Sequence, residues 1–125
     1  MKDLNTYITE KLKIRKSPHK YFPKSKKELQ DILKELVEER GNEGDFNDID
    51  TSEITDMSKL FNNMTEFNGD ISKWDISNAK NISIMFCYSK FNGDISNWDV
   101  SNVTDMKAMF DESPLKNNPP MWYRK

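Results

Sequence analysis

The feature that most constrains this chain is an internal repeat of 24 to 25 residues. Residues 67–78, FNGDISKWDISN, return as residues 91–102, FNGDISNWDVSN, with each position displaced by 24. The second half of the unit occurs at residues 56–61, 81–86 and 105–110. The first two of these copies are 25 residues apart, and the last two are 24 residues apart. A repeat this short cannot bury its own apolar edge, so we expect neighbouring units to stack.

The series has an imperfect copy at each end. A degenerate copy opens at residue 45, and a truncated copy aligns Leu115 with Phe91 and Trp122 with Trp98. The repeat region therefore contains about three and a half units.

The apolar spacing within a unit predicts its local structure. The pattern L-x-x-L-x-L, whose last part has the period of a strand, occurs at Ile71, Trp74, Ile76 and Ala79. The i, i+3, i+4 spacing of a short helix occurs at Met106, Met109 and Phe110. The Phe-Asn-Gly segments predict turns with a left-handed glycine at Gly69 and Gly93. We therefore predict an α/β solenoid, a short leucine-rich-repeat-like stack of strand–short-helix units with an α-helical N-terminal cap.

The cap is predicted from a helix over residues 25–40. Ser25 and Glu28 form a capping-box pattern, and Gly41 is a C-cap signal. The apolar stripe of this helix consists of Leu29, Ile32, Leu33, Leu36 and Val37. A weaker helix is predicted near residues 3–13, and Tyr21 and Phe22 are expected in a short strand or packed under the cap. We predict one folded unit, with residues 1–44 as the cap and residues 45–125 as the repeats.

The repeat string FNGDISxWDVSNVTDMxxMF closely resembles the BspA-type leucine-rich-repeat family over residues 45–123, and residues 91–110 match best. That family occurs in bacterial surface proteins, mycoplasma lipoproteins and phage or prophage proteins. The resemblance implies a leucine-rich-repeat fold and a role as a non-catalytic adhesin or ligand-binding protein. It implies no catalytic residues.

The residues that usually carry catalysis are few. The chain has one histidine, His19, and one cysteine, Cys87, which are far apart in sequence. No phosphate loop, zinc-ligand spacing or nucleophile elbow occurs. We therefore predict no enzyme activity, no cofactor, and no catalytic or metal-binding residues.

A column of acidic residues, Asp50, Asp75 and Asp99, stands between the two strand-type apolar positions of each unit. Three interpretations stay open. In the first, the carboxylates act as turn formers that accept hydrogen bonds from the backbone or from Ser52, Ser77 and Ser101. In the second, they form a solvated stripe that binds a basic partner. In the third, they bind a cation such as calcium, although one carboxylate per unit supplies few of the six to eight oxygens that calcium prefers.

Charge is unevenly placed along the chain. Residues 1–40 hold 11 Lys and Arg against 7 Asp and Glu, whereas the whole chain has a net charge of −2. Clustered cations attract nucleic-acid phosphates, which makes nucleic-acid or nucleoprotein binding an alternative function. The competing interpretation is a solvated lysine face. The cluster consists of Lys11, Lys13, Arg15, Lys16, Lys20, Lys24, Lys26 and Lys27.

We expect a non-enzymatic protein-binding module whose surface is the concave stripe of Asp48, Asp50, Lys73, Asp75, Asn97, Asp99 and Tyr123. A phage- or prophage-type stoichiometric inhibitor of a host enzyme or defence complex is one form of this hypothesis, and a surface adhesin is a further alternative. The absence of an apolar run of about 18 residues and of a signal peptide predicts a cytoplasmic protein with no membrane segment. The sequence identifies neither the partner nor the oligomeric state.

Overall fold

The computed structural model describes residues 18–124, and over this range the regular structure is one α-helix and one short 3₁₀-helix. Helix α1 spans Lys26–Arg40 and the 3₁₀-helix η1 spans Pro114–Lys116. No strand is formed between residues 18 and 124. Four isolated parallel bridges occur instead, at Tyr21–Ile49, Asp45–Asp70, Asp56–Asn81 and Asn81–Asp105. The predicted α/β solenoid of leucine-rich-repeat strand–helix units is therefore wrong.

The predicted strand is absent because the first half of each unit is a succession of tight turns. The N–H of Trp74 donates to the carbonyl of Ile71 at 3.2 Å, and the N–H of Ala79 donates to the carbonyl of Ile76 at 2.9 Å. The same bonds recur in residues 95–98 and 100–103. A turn brings its first and fourth residues to the same side, so the L-x-x-L spacing faces the core without an extended backbone.

The predicted short helix is also absent, because left-handed residues interrupt the second half of each unit. Ala108 has φ 56° and Glu112 has φ 55°. The equivalent residues have the same conformation in the earlier units. They are Lys59 and Asn63 in the first unit and Ile84 and Tyr88 in the second. A right-handed helix cannot continue through such residues.

Gly69 and Gly93 do not take the predicted left-handed conformation, since within residues 18–124 only Gly41 among the glycines has a positive φ. Close packing explains both glycines. A Cβ atom at Gly69 would lie 2.4 Å from the Phe46 ring, and one at Gly93 would lie 2.8 Å from the Phe91 ring.

Backbone hydrogen bonds join the second halves of successive units. In eight of these bonds an N–H of the earlier unit donates to a carbonyl of the later unit, and we call this set the forward ladder. The donor–acceptor pairs, at 2.9 to 3.0 Å, are Met57–Asn81, Lys59–Ser83, Phe61–Met85, Asn63–Cys87, Ile82–Asp105, Ile84–Lys107, Phe86–Met109 and Tyr88–Asp111. A few bonds at the edges of the second half run the other way, such as that from the N–H of Asn81 to the carbonyl of Thr55 at 3.3 Å.

The core enclosed by the repeat units is largely aromatic. Phe86 lies parallel to Phe61 at 5.3 Å and to Phe110 at 5.9 Å between ring centroids. Three indole N–H groups donate to a carbonyl of the preceding unit, in the pairs Trp74–Phe46, Trp98–Ile71 and Trp122–Ile95. The predicted alignment of the closing copy is confirmed for Trp122, whose ring stacks on Trp98 at 6.3 Å.

Helix α1 packs against the first repeat unit. The Ser25 hydroxyl accepts the N–H of Glu28 at 3.2 Å, and Gly41 ends the helix with φ 84°. The buried residues Leu29, Leu33 and Leu36 share one core with the repeats. Tyr21 forms one bridge with Ile49 rather than a strand, and Phe22 is exposed. The helix predicted near residues 3–13 lies outside the described residues, and the domain boundary at residue 44 stays a prediction.

No helix within residues 18–124 combines the length and the apolar character that a membrane crossing requires.

Candidate interaction surface

Six of the seven predicted protein-binding residues lie in two rows on either side of a buried column. The column consists of Ile49, Trp74 and Trp98, which are buried. In each unit, the residue before and the residue after the buried one point outward. We call these two rows, Asp48, Lys73 and Asn97 on one side and Asp50, Asp75 and Asp99 on the other, the Asp face. Because no sheet is formed in the described chain, the Asp face is a surface of stacked turns and not the concave face of a leucine-rich repeat.

The three aspartates of the second row have the same local geometry. Oδ1 of Asp50, Asp75 and Asp99 accepts the N–H of the serine two residues later at 2.9, 2.9 and 3.0 Å. The Ser77 hydroxyl adds a bond to Asp75 at 2.6 Å. These are Asx-turns, and the turn-former interpretation is confirmed.

These bonds also affect the acidity of the row. The Ser52 hydroxyl holds the pKa of Asp50 below its usual value, and the Ser101 hydroxyl does the same for the pKa of Asp99. Hydrogen bonds to the charged form favour that form. The turns at Asp50 and Asp99 therefore favour the charged carboxylate.

Side chains connect the turns of the Asp face to the neighbouring units. Nδ2 of Asn78 donates to the carbonyl of Ser52 at 2.7 Å, and Nδ2 of Asn102 donates to the carbonyl of Ser77 at 2.6 Å. The Thr51 hydroxyl donates to the carbonyl of Asp75 at 2.9 Å. The turns are thus held in register across three units, which fixes the spacing of the carboxylates.

Asp48 has a different environment from the other aspartates of the Asp face. Its two carboxylate oxygens accept bonds from the Arg40 guanidinium at 2.8 and 2.9 Å, and these bonds hold the pKa of Asp48 below its usual value. Arg40 also donates to the carbonyl of Asp45 at 2.9 Å and lies 5.9 Å from the Tyr21 ring centroid. Asp48 therefore joins helix α1 to the first turn.

Lys73 is exposed, and its backbone N–H donates to Oδ1 of Asn47 at 2.8 Å. It shares an open cleft of about 780 Å³ with Asp48, Arg40 and Lys20. Asn97 is exposed at the equivalent position of the next unit. The first row is consequently mixed in charge, whereas the second row is acidic throughout.

Tyr123 occupies the position equivalent to Asp99 in the closing copy, but its ring packs inward. The ring meets Phe110 edge-on at 4.9 Å, and burial raises the pKa of the Tyr123 hydroxyl. Tyr123 therefore terminates the second row and adds no carboxylate to it.

Sequence analysis missed two further columns of Asx-turns. In each, Oδ1 accepts the N–H two residues later, and the columns are Asp45, Asp70 and Asp94, and Asp56, Asn81 and Asp105. The signal was available, since Asp-x-Ser or a close variant recurs three times in every unit. Asn81 shows that an asparagine makes the same turn, with its Oδ1 2.9 Å from the Ser83 nitrogen.

Half of the predicted basic cluster lies within the described residues, and three of its lysines are paired internally. Lys24 pairs with Glu53, Lys26 lies 3.3 Å from Asp56, and Lys27 lies 2.6 Å from Asp31. Lys20 is exposed. The other four cations of the cluster, Lys11, Lys13, Arg15 and Lys16, lie outside the described residues.

The candidate catalytic residues are not brought together. Cys87 is half-buried, and burial raises the pKa of its thiol. The His19 ring lies 6.5 Å from the ring of Phe22 and lines the cleft beside Lys20. Between residues 18 and 124, no three His, Cys, Asp or Glu side chains are grouped in a way that could hold a metal ion.

A comparison with protein-family models identifies the repeat region. The model described as "Mycoplasma protein of unknown function, DUF285" matches residues 27–122, which is well over half of the chain. Neither the curated proteins nor the solved structures include a match to this chain. The family match extends from helix α1 to the closing copy of the repeat, and the chain belongs to the DUF285 family.

Proposed function

We propose that this chain is a non-enzymatic protein-binding module that uses the Asp face to bind a basic surface of a partner protein. The observation that carries this proposal is the second row, in which Asp50, Asp75 and Asp99 repeat at fixed spacing on stacked turns. A row of carboxylates at one spacing is complementary to a row of cations on a partner.

The rigidity of the face supports the proposal. Bonds from Asn78, Asn102 and Thr51 hold the turns before a partner arrives, so little conformational entropy is lost on binding. The turn bonds of Asp50 and Asp99 already favour the charged form of these two carboxylates.

The pairing of the basic segment favours a protein partner over a nucleic acid. Lys24, Lys26 and Lys27 already contact carboxylates of this chain, so a phosphate would have to replace those contacts. The state of Cys87 supports a binding role over nucleophilic catalysis, since burial and the nearby Asp111 raise the pKa of its thiol, whereas an activated thiol has a lowered pKa.

The resemblance to BspA-type repeats agrees with a binding role. The inhibitor form of the hypothesis belongs to the same proposal, and it requires a one-to-one complex with an enzyme of the host cytoplasm. The identity of the captured partner distinguishes an inhibitor from an adhesin, because the ligand of an adhesin would be a surface component.

The test uses charge removal that preserves the turns. In the double variant Asp75→Asn, Asp99→Asn, each asparagine oxygen can accept the same N–H, as Asn81 does in the native chain. We expect the tagged wild-type chain to capture one stoichiometric protein from a lysate of the native host, with or without nuclease. The double variant is expected to lose that protein.

The matched control is Asp70→Asn, Asp94→Asn, which removes the same charge from exposed Asx-turns of the neighbouring column. It is expected to retain the partner. Equal capture by both double variants would exclude the Asp face as the binding surface. Capture that disappears after nuclease treatment would transfer the function to the basic segment.

A further inference from the structure

The forward ladder has a direction, and this direction makes the two ends of the stack chemically different. Every bond of the ladder runs from an N–H of the earlier unit to a carbonyl of the later one. The first unit therefore turns carbonyls toward helix α1, and the last unit turns N–H groups away from the stack.

The carbonyl end is covered. Ser58 of the first unit is equivalent to residues whose carbonyls accept ladder bonds in the later units. Its carbonyl accepts a hydrogen bond from Nζ of Lys26 at 3.2 Å. The same ammonium group lies 3.3 Å from the Asp56 carboxylate. Helix α1 thus supplies both apolar cover and a cation to the acceptor end of the ladder.

The donor end consists of the N–H groups of Met106, Ala108, Phe110 and Glu112, which we call the end row. These residues are equivalent to Ile82, Ile84, Phe86 and Tyr88, which donate to the third unit. The third unit has the same backbone conformation, because Ala108 and Glu112 repeat the positive φ angles of Ile84 and Tyr88. Within residues 18–124, no backbone carbonyl accepts a bond from the end row.

A cavity adjoins the end row. It has a volume of about 330 Å³ and contains Ala108 and Phe110 of the row in its lining. The charged residues of the lining are Lys107, Lys116 and Asp111, and Tyr123 also lines the cavity. Two lysines against one aspartate give the lining a net positive charge, which adds to the partial positive charge of aligned N–H groups.

We propose that the end row is a docking edge for an acidic, extended peptide segment of a partner protein. The donors stand at every second residue, which is the spacing of the carbonyls along one side of an extended chain. Lys107 and Lys116 then pair with acidic side chains of that segment. A second copy of this chain does not fit the edge, because two such ends would place donors against donors.

The test measures amide hydrogen exchange in the ¹⁵N-labelled chain by NMR. In the free protein, we expect the four amides of the end row to exchange at least about tenfold faster than the four equivalent amides of the second unit. Adding the blocked decapeptide (Glu-Thr)₅ is expected to slow the end row by about tenfold and to leave the second unit unchanged.

The variant Lys107→Glu, Lys116→Glu is expected to weaken peptide binding by at least about fivefold. The control Lys80→Glu, Lys90→Glu makes the same charge change on exposed lysines of the second unit and is expected to leave binding within about twofold. Retention of the folded spectrum in both variants separates loss of binding from loss of structure.

Other outcomes overturn the proposal. An end row that (Glu-Thr)₅ does not slow has no affinity for acidic peptides. If (Lys-Thr)₅ slowed amide exchange of the end row equally, Lys107 and Lys116 would not select an acidic segment. Slowing that depends on protein concentration alone would identify a second copy as the occupant, and equal slowing by oligothymidylate would identify a phosphate-binding edge.

Discussion

The two halves of each repeat unit hold their backbone in different ways. In the first half, residues suited to turns recur in every copy, as in Asp70 and Ser72 or Asp94 and Ser96. In the second half, the first of the two left-handed positions is occupied by Lys59, Ile84 and Ala108, none of which is suited to it. The first half is therefore encoded locally, whereas the forward ladder imposes the conformation of the second half.

This comparison predicts that the second half depends most strongly on packing between units. Phe86 contacts aromatic rings of both neighbouring units, so Phe86→Ala is expected to lower the free energy of unfolding by about 3–5 kcal/mol. Urea denaturation followed by tryptophan fluorescence measures the loss. The exposed Tyr88→Ala is the control, and an equal loss in both variants would contradict the assignment of Phe86 to the centre of the core.

Asp48 is a first-half residue whose partner, Arg40, lies outside the repeat on helix α1. Asp48→Asn breaks the bidentate pair with Arg40 and is expected to cost about 1–3 kcal/mol at pH 7. The folded-state pKa of Asp48 is lowered, so the stabilisation is complete above the unfolded value near 3.8 and is lost as the pH falls through the folded pKa. Unfolding at pH 7 and at pH 3 should therefore show a smaller acid-induced loss in Asp48→Asn than in wild type, and equal losses would argue against the pair.

The Asx-turns give a smaller effect that separates hydrogen bonding from charge. Asp75→Ala removes the acceptor for the N–H and hydroxyl of Ser77 and is expected to cost about 1 kcal/mol. Asp75→Asn keeps the acceptor and is expected to stay within about 0.5 kcal/mol of wild type. Thermal unfolding of the two variants makes the comparison, and an asparagine variant as unstable as the alanine variant would show that charge holds the turn.

The smallest expected effect concerns the left-handed residues. Glu112→Gly relieves an unfavourable φ at an exposed position and is expected to raise the free energy of unfolding by about 0.5 kcal/mol. Glu66→Gly, at an exposed residue outside the left-handed set, is expected to lower it by about 0.5–1 kcal/mol. Chemical denaturation of both variants tests the difference in sign. A loss in Glu112→Gly would mean that the ladder imposes no strain there.

Periodicity in the sequence was sufficient to predict which residues face the core, but it did not identify the backbone that places them there. Ile71, Trp74 and Ile76 are buried as expected, yet they are joined by turns and not by a strand. An i, i+3 spacing is compatible with both a turn and a helix, so Met106 and Met109 were assigned to a helix that does not form. The recurrent Asp-x-Ser would have distinguished the two in the first half.

The candidate surface was predicted in part for the same reason. The column of Asp50, Asp75 and Asp99 follows from the repeat period alone, because equivalent positions of stacked units must coincide. The pairing of Asp48 with Arg40 could not be predicted, since it depends on how helix α1 crosses the first unit. The inward rotation of Tyr123 depends likewise on the ring of Phe110.

The sequence by itself determined the repeat period, the buried columns, the Asx-turns and the limits of helix α1, because each of these depends on contacts within a few residues or on strict repetition. The tertiary structure alone decided the left-handed residues, the direction of the forward ladder and the difference between the two ends of the stack. Backbone N–H groups need acceptors, and for alternate residues in the second halves of the first two units the following unit supplies them.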